Sequence, residues 1–78
     1  MKYIITQSGY DEFVGNKKKY LQPTVEAKLI VILSSRVGYT LDSLNSLITM
    51  DPRLKATEGK VFVALDRLKE LGYVEVIG

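Results

Sequence analysis

The chain has 78 residues and a formal charge of +2, enough for one small domain whose core contributes no more than about 3–5 kcal/mol net. It contains no Cys and no His, which excludes disulfides, thiolate metal sites, a Cys nucleophile and the usual general base. Hydrophobic residues at 46% and charged residues at 26% fit a globular domain rather than a disordered one.

Residues Lys2–Thr6 read as a short strand, being β-branched and aromatic ahead of a turn cluster. Ser8 is the expected N-cap of a first helix, with Asp11 and Glu12 in the first turn and Tyr10, Phe13 and Val14 on one face. Gly15-Asn16 should end it, and Lys17-Lys18-Lys19 follows as a basic connector. Pro23 should lie just inside the start of the next element, expected as a helix over 24–36 that closes at Gly38. Its run Leu29-Ile30-Val31-Ile32-Leu33 also suits a buried strand, but length and Glu26-Ala27-Lys28 ahead of it favour helix.

Thr40 is a good N-cap, and Leu41, Leu44, Leu47 and Ile48 form the stripe of a third helix. Pro52 breaks the chain after it. Thr57 caps the last helix, which runs to about Leu71. At 100° per residue, Val61, Phe62, Leu65 and Leu68 share the inward side. Ala56, Gly59, Lys60, Val63, Arg67 and Glu70 then share the outward side. Gly72 ends the helix and Tyr73–Ile77 is a closing strand. The longest apolar run is far below the roughly 18 residues that span a bilayer, and no signal-peptide pattern opens the chain. The default expectation is a cytoplasmic protein, with no membrane among its partners.

The stretch from Val61 through Leu65, Leu68 and Leu71-Gly72 to Tyr73-Val74-Glu75 resembles the recognition helix and first wing strand of winged helix-turn-helix regulators of the PadR, MarR and ArsR kind. Tyr3-Ile4-Ile5-Thr6-Gln7-Ser8-Gly9 is similar to their second wing strand and the helix after it, which in those families follows the first wing strand. The resemblance covers about a third of the chain. It implies a winged helix permuted at the wing tip, with Lys2–Thr6 pairing against Tyr73–Ile77. The fold expected is mainly α with a small two-stranded β-sheet, in the order β-α-α-α-α-β. The wing tip would then consist of Met1-Lys2 and Ile77-Gly78, not a basic loop.

The resemblance also implies double-stranded DNA as the partner, with the helix starting at Thr57 in the major groove. Lys60, Val63 and Arg67 would face the bases, Arg53 and Lys55 the flanking phosphates, and Thr57 a phosphate at the helix start. Each has a plain alternative: a solvated face, a soluble loop, a cap. Glu58, Asp66 and Glu70 support that alternative by repelling phosphate. Lys17, Lys18 and Lys19 fit either a phosphate backbone or a solvated linker. The nearly all-apolar helix over 24–36 is either central in the fold or the seat of a homodimer. A winged-helix module that binds another protein is the rival reading, favoured by the near-balanced charge. Carboxylates alone give little basis for an enzyme, and no cofactor motif or metal-ligand spacing occurs.

Overall fold

All four helices begin the same way. Thr6, Thr24, Thr40 and Thr57 stand in extended conformation, and each hydroxyl oxygen accepts the backbone N–H three residues on, at 3.0, 3.1, 3.2 and 3.4 Å. Each cap satisfies one N–H that the helix cannot. In the computed structural model, which describes residues 1–78, the elements are β1 (Lys2–Ile5), α1 (Gln7–Gly15), a 3-10 turn (Lys19–Leu21), α2 (Val25–Leu33), α3 (Leu41–Thr49), α4 (Glu58–Glu70) and β2 (Val74–Ile77).

The expected starts of α3 and α4 hold, and those of α1 and α2 shift. Thr6, not Ser8, caps α1, because the helix begins directly after the strand. Pro23 precedes the cap Thr24 instead of following it. The end of α2 comes at Leu33, short of Arg36. Ser34 and Ser35 turn their hydroxyls back onto the carbonyls of Val31 and Ile32, at 2.6 and 3.1 Å, which closes the last turn. Arg36, and not Gly38, takes the left-handed backbone there, at φ 63°. Its guanidinium lies 3.9 Å from the centre of the Tyr10 ring and donates to Gln7 Oε1 at 3.3 Å. The 17–19 connector also leads into structure that its charge conceals. Tyr20, between Lys19 and Leu21, is buried in the core.

β1 and β2 pair antiparallel, with Lys2 opposite Ile77 and Ile5 opposite Val74. On its other side Tyr3 exchanges both backbone hydrogen bonds with Tyr39, at 2.7 and 3.0 Å. β1 is therefore central, with Tyr39 on one edge and β2 on the other. Thr6 locks the corner: its N–H donates to the Tyr73 carbonyl at 2.9 Å and its hydroxyl to the Gly72 carbonyl at 2.6 Å. Gly72 carries φ 79°, which a glycine tolerates at the exit from α4.

α2 is the hub, in contact with β1, α1, the 3-10 turn, α3 and α4. Leu29, Ile30 and Leu33 are fully buried against Leu44 and Ile48 of α3 and Val61, Leu65 and Leu68 of α4. Most of its apolar surface is thus covered within one chain, while Val31 is 38% exposed and Ile32 is half-buried. On α4 one residue was misassigned to the core. Phe62 is 53% exposed, and Ala64 completes the buried set with Val61, Leu65 and Leu68, at i, i+3, i+4 and i+7. No helix is long and apolar enough to cross a membrane, and no cluster of acidic side chains could hold a metal ion.

Candidate nucleic-acid interface

α4 lies on α2 through its buried stripe, and this sets where its charges go. Lys60 and Val63 are exposed and line an open groove of about 610 Å3 between α4 and the beginning of α2. Thr24, Val25 and Glu26 form the opposite wall. The first turns of two helices therefore meet at this groove, and both carry the partial positive charge of uncapped N–H groups. Thr57 is exposed at the same end, its hydroxyl committed to the cap.

Arg67 follows on the same flank but is not free. Its guanidinium donates to Glu26 Oε1 of α2 at 3.2 Å. The two side chains are 63% and 42% exposed, so the pair is worth no more than about 0–1 kcal/mol and exchanges readily. Arg53 is held more firmly. It donates through Nε and Nη2 to the two oxygens of Asp51, at 3.1 and 2.8 Å, and its backbone N–H also donates to Asp51 Oδ1 at 3.0 Å. These bonds draw the Asp51 carboxyl down to about 2. Arg53 also turns away from α4, toward Lys28 and Val31 on the outer side of α2. Lys55 is exposed without a partner, in left-handed backbone at φ 47°.

The basic connector is a separate feature. Lys17 and Lys18 are exposed, while Lys19 pairs with Glu12 at 3.5 Å and lies 5.5 Å from the centre of the Tyr20 ring. Lys19 faces Leu68, Leu71 and Tyr73, at the far end of α4 from Lys60. The nine residues expected to contact nucleic acid thus fall into three groups. Thr57, Lys60, Val63 and Arg67 line one flank of α4, with Lys55 just before the helix. Arg53 stands apart on the α2 side, and Lys17, Lys18 and Lys19 are at the opposite end.

Two acids of α4, Asp66 and Glu70, are exposed in its second half, and Glu58 in its first turn. The sequence reading missed Glu26 and Asp51, which neutralise two of the expected contacts. Asp51 had a local signal: an Asp ahead of Pro52 is a turn opener whose carboxylate accepts N–H groups two residues on. Glu26 had none, being 41 residues from Arg67. Comparison of the chain with protein-family models, with curated proteins and with solved structures finds no match.

Proposed function

We propose that the protein is a winged helix-turn-helix domain that binds double-stranded DNA through the first half of α4. The fold reading is supported by the sheet. A short bridge at Tyr39 between α2 and α3, then β2 after α4, both flank β1. On this reading Tyr39 and β2 take the places of the first two strands of a winged-helix sheet, and Lys2–Ile5 that of the last. α3 and α4 are then the helix-turn-helix pair, and the open end of the sheet carries Lys2 beside Ile77.

One observation carries the DNA reading. Lys60 and Val63 stand side by side on the exposed first half of α4 and Lys55 stands free just before it; Glu58 is the one acid in that half, and Asp66 and Glu70 come one to two turns after Val63. Recognition helices read base edges with their N-terminal residues. Lys60 there suits a guanine edge, and Val63 the methyl group of thymine. Arg67 joins by exchanging Glu26 for phosphate. Arg53 keeps Asp51 and takes no part. With so few free cations, the salt dependence should be shallow, with a log–log slope of about −2 to −3.

The test is a fluorescence-anisotropy titration of random-sequence duplex DNA at low and moderate salt. Lys55→Ala with Lys60→Ala should weaken binding and make the slope shallower by about one unit per lost phosphate contact. Absence of duplex binding at low salt would refute the proposal. So would binding that survives this double change and disappears on replacing Lys17, Lys18 and Lys19.

A further inference from the structure

The groove at Lys60 does not end there. A second cavity, of about 240 Å3, adjoins it and shares Thr24 and Glu26 with it. This one is lined by Leu68, Leu71 and Tyr73 on one side and by Tyr20 and Ala27 on the other. Together the two form one furrow along α4, from Thr57 to Tyr73. α4 has 13 residues, so the furrow is about 20 Å long. The Arg67–Glu26 pair lies across its middle.

The furrow is largely apolar and open. Val63 of α4 at 60% and Leu71, just past its end, at 56% are exposed large apolar side chains. Val25, Ala27, Ala64 and Leu68 lie between them along the floor. Its charge is only slightly positive. Lys60 stands free at one end, Lys19 at the other is shared with Glu12 at 3.5 Å, Glu26 is paired with Arg67 in an exposed bond that exchanges readily, and the first turns of α2 and α4 add their partial positive charges. Both long walls are mainly helical, so an extended peptide would find no strand edge to pair with. A helix brings its own backbone bonds and needs only an apolar seam.

We infer that this furrow is a docking site for an acidic amphipathic helix of a partner protein, of about four turns, with its apolar seam on Val63, Ala64, Leu68 and Leu71 and its carboxylates toward Lys60, Arg67 and Lys19. Such a helix takes the same Lys60 and Arg67 that DNA would take. The partner therefore acts as a competitor of DNA, a consequence that rests on the DNA reading, whereas the docking itself does not.

The probe is a displayed library of helical peptides of about four turns, with a fixed leucine seam and flanks randomised over Glu, Gln and Lys, selected against the full chain. Enriched flanks should be rich in Glu. The best peptide should shift the amide resonances of Ala64, Leu68 and Leu71, and Leu71→Ser should weaken it at least about tenfold. Circular dichroism checks that this variant stays folded, and its affinity for duplex DNA should be unchanged. Failure to enrich any peptide, enrichment of Lys-rich flanks, or resonance shifts confined to another surface would overturn the inference. Peptide binding by a chain that binds no duplex would uphold the docking site and remove the DNA reading alone. Duplex binding that the peptide fails to displace would overturn the competition.

Discussion

Gly9 is the position where a conservative change should do most harm to the fold. In mid-helix, Gly→Ala ordinarily stabilises by about 0.5–1 kcal/mol. At Gly9 a Cβ would instead fall on the carbonyl oxygen of Tyr73, and 2.9 Å from both the Tyr73 carbonyl carbon and Ile5 Cγ1. That oxygen accepts the Thr6 N–H, so it moves only if the corner between β1, α1 and β2 opens. Overpacking of this kind costs about 1–3 kcal/mol, and a lost backbone hydrogen bond adds about 0.5–1.5 kcal/mol. After the helical gain, Gly9→Ala should destabilise by about 1–3 kcal/mol, a large share of the roughly 3–5 kcal/mol available to a chain of this size. Gly15 in the same helix is the control, because nothing lies within 4 Å of its added Cβ. Gly15→Ala should be neutral or stabilise by up to about 0.5–1 kcal/mol. Urea unfolding followed by circular dichroism separates them. With a slope near 1 kcal/mol per molar, the Gly9→Ala midpoint should fall by about 1–3 M. A Gly9→Ala midpoint at or above that of Gly15→Ala would refute the packing of α1 on the start of β2.

The other predictions follow from burial and charge. Leu65→Ala should cost about 2–5 kcal/mol, whereas Phe62→Ala, at an exposed site, should cost roughly 1 kcal/mol or less; equal costs would mean that α4 is rotated. Burial, followed by the neighbouring Glu12 carboxylate, raises Tyr20 from 10.0 to about 12. The folded state therefore keeps Tyr20 neutral, and the stability this contributes is full below pH about 10 and lost between about 10 and about 12. Tyr20→Phe should flatten that alkaline fall in the urea midpoint, and an unchanged fall would exclude Tyr20 as its source. Deletion of residues 1–6 removes the central strand and the Thr6 corner, and should abolish cooperative unfolding; a truncated chain that melts like the full one would refute the sheet. Glu26→Gln releases Arg67 and should tighten duplex binding and steepen its salt dependence by up to about one unit. An unchanged slope would place Arg67 away from the DNA.

The two strands were legible because their signals are local and agree, whereas their pairing, between opposite ends of the chain, was expected only from the family resemblance. Tyr3-Ile4-Ile5 and Val74-Glu75-Val76 carry strand residues, and Gly72 marks the turn into the second. Thr40 and Thr57 were legible as caps because each precedes an apolar stripe without a competitor. Thr6 had a competitor, Ser8, set three residues before Asp11. It could be recognised as a cap only once strand and helix were known to join without a loop. Tyr20 was hidden by the lysines before it. Its burial depends on Phe13, whose ring centre lies 6.1 Å from its own, and on the pocket it shares with Leu68, Leu71 and Tyr73. Phe62 was misplaced because a helical wheel fixes the spacing of an apolar arc but not its width. With Ala64 in the arc, Phe62 falls outside it.

The candidate site was harder to read because charge partners need not be neighbours in sequence. Three of the seven cations expected to meet DNA already have carboxylates: Lys19 with Glu12, Arg53 with Asp51 and Arg67 with Glu26. These pairs are not equivalent. Asp51, whose side chain is only 12% exposed, also receives the Arg53 backbone N–H. Removing Arg53 from it would leave a shielded carboxylate short of donors, so the pair serves the loop between α3 and α4 rather than a ligand. Glu26 and Arg67 are both well exposed and joined by one hydrogen bond, so either can exchange its partner for water or an incoming anion at little cost. An anion that reaches Arg67 releases Glu26 to solvent and meets Lys60 two turns away. On the two proposals made above, DNA phosphate and the carboxylates of a docked helix would compete for the same guanidinium, so the two ligands would exclude each other at the Arg67–Glu26 pair.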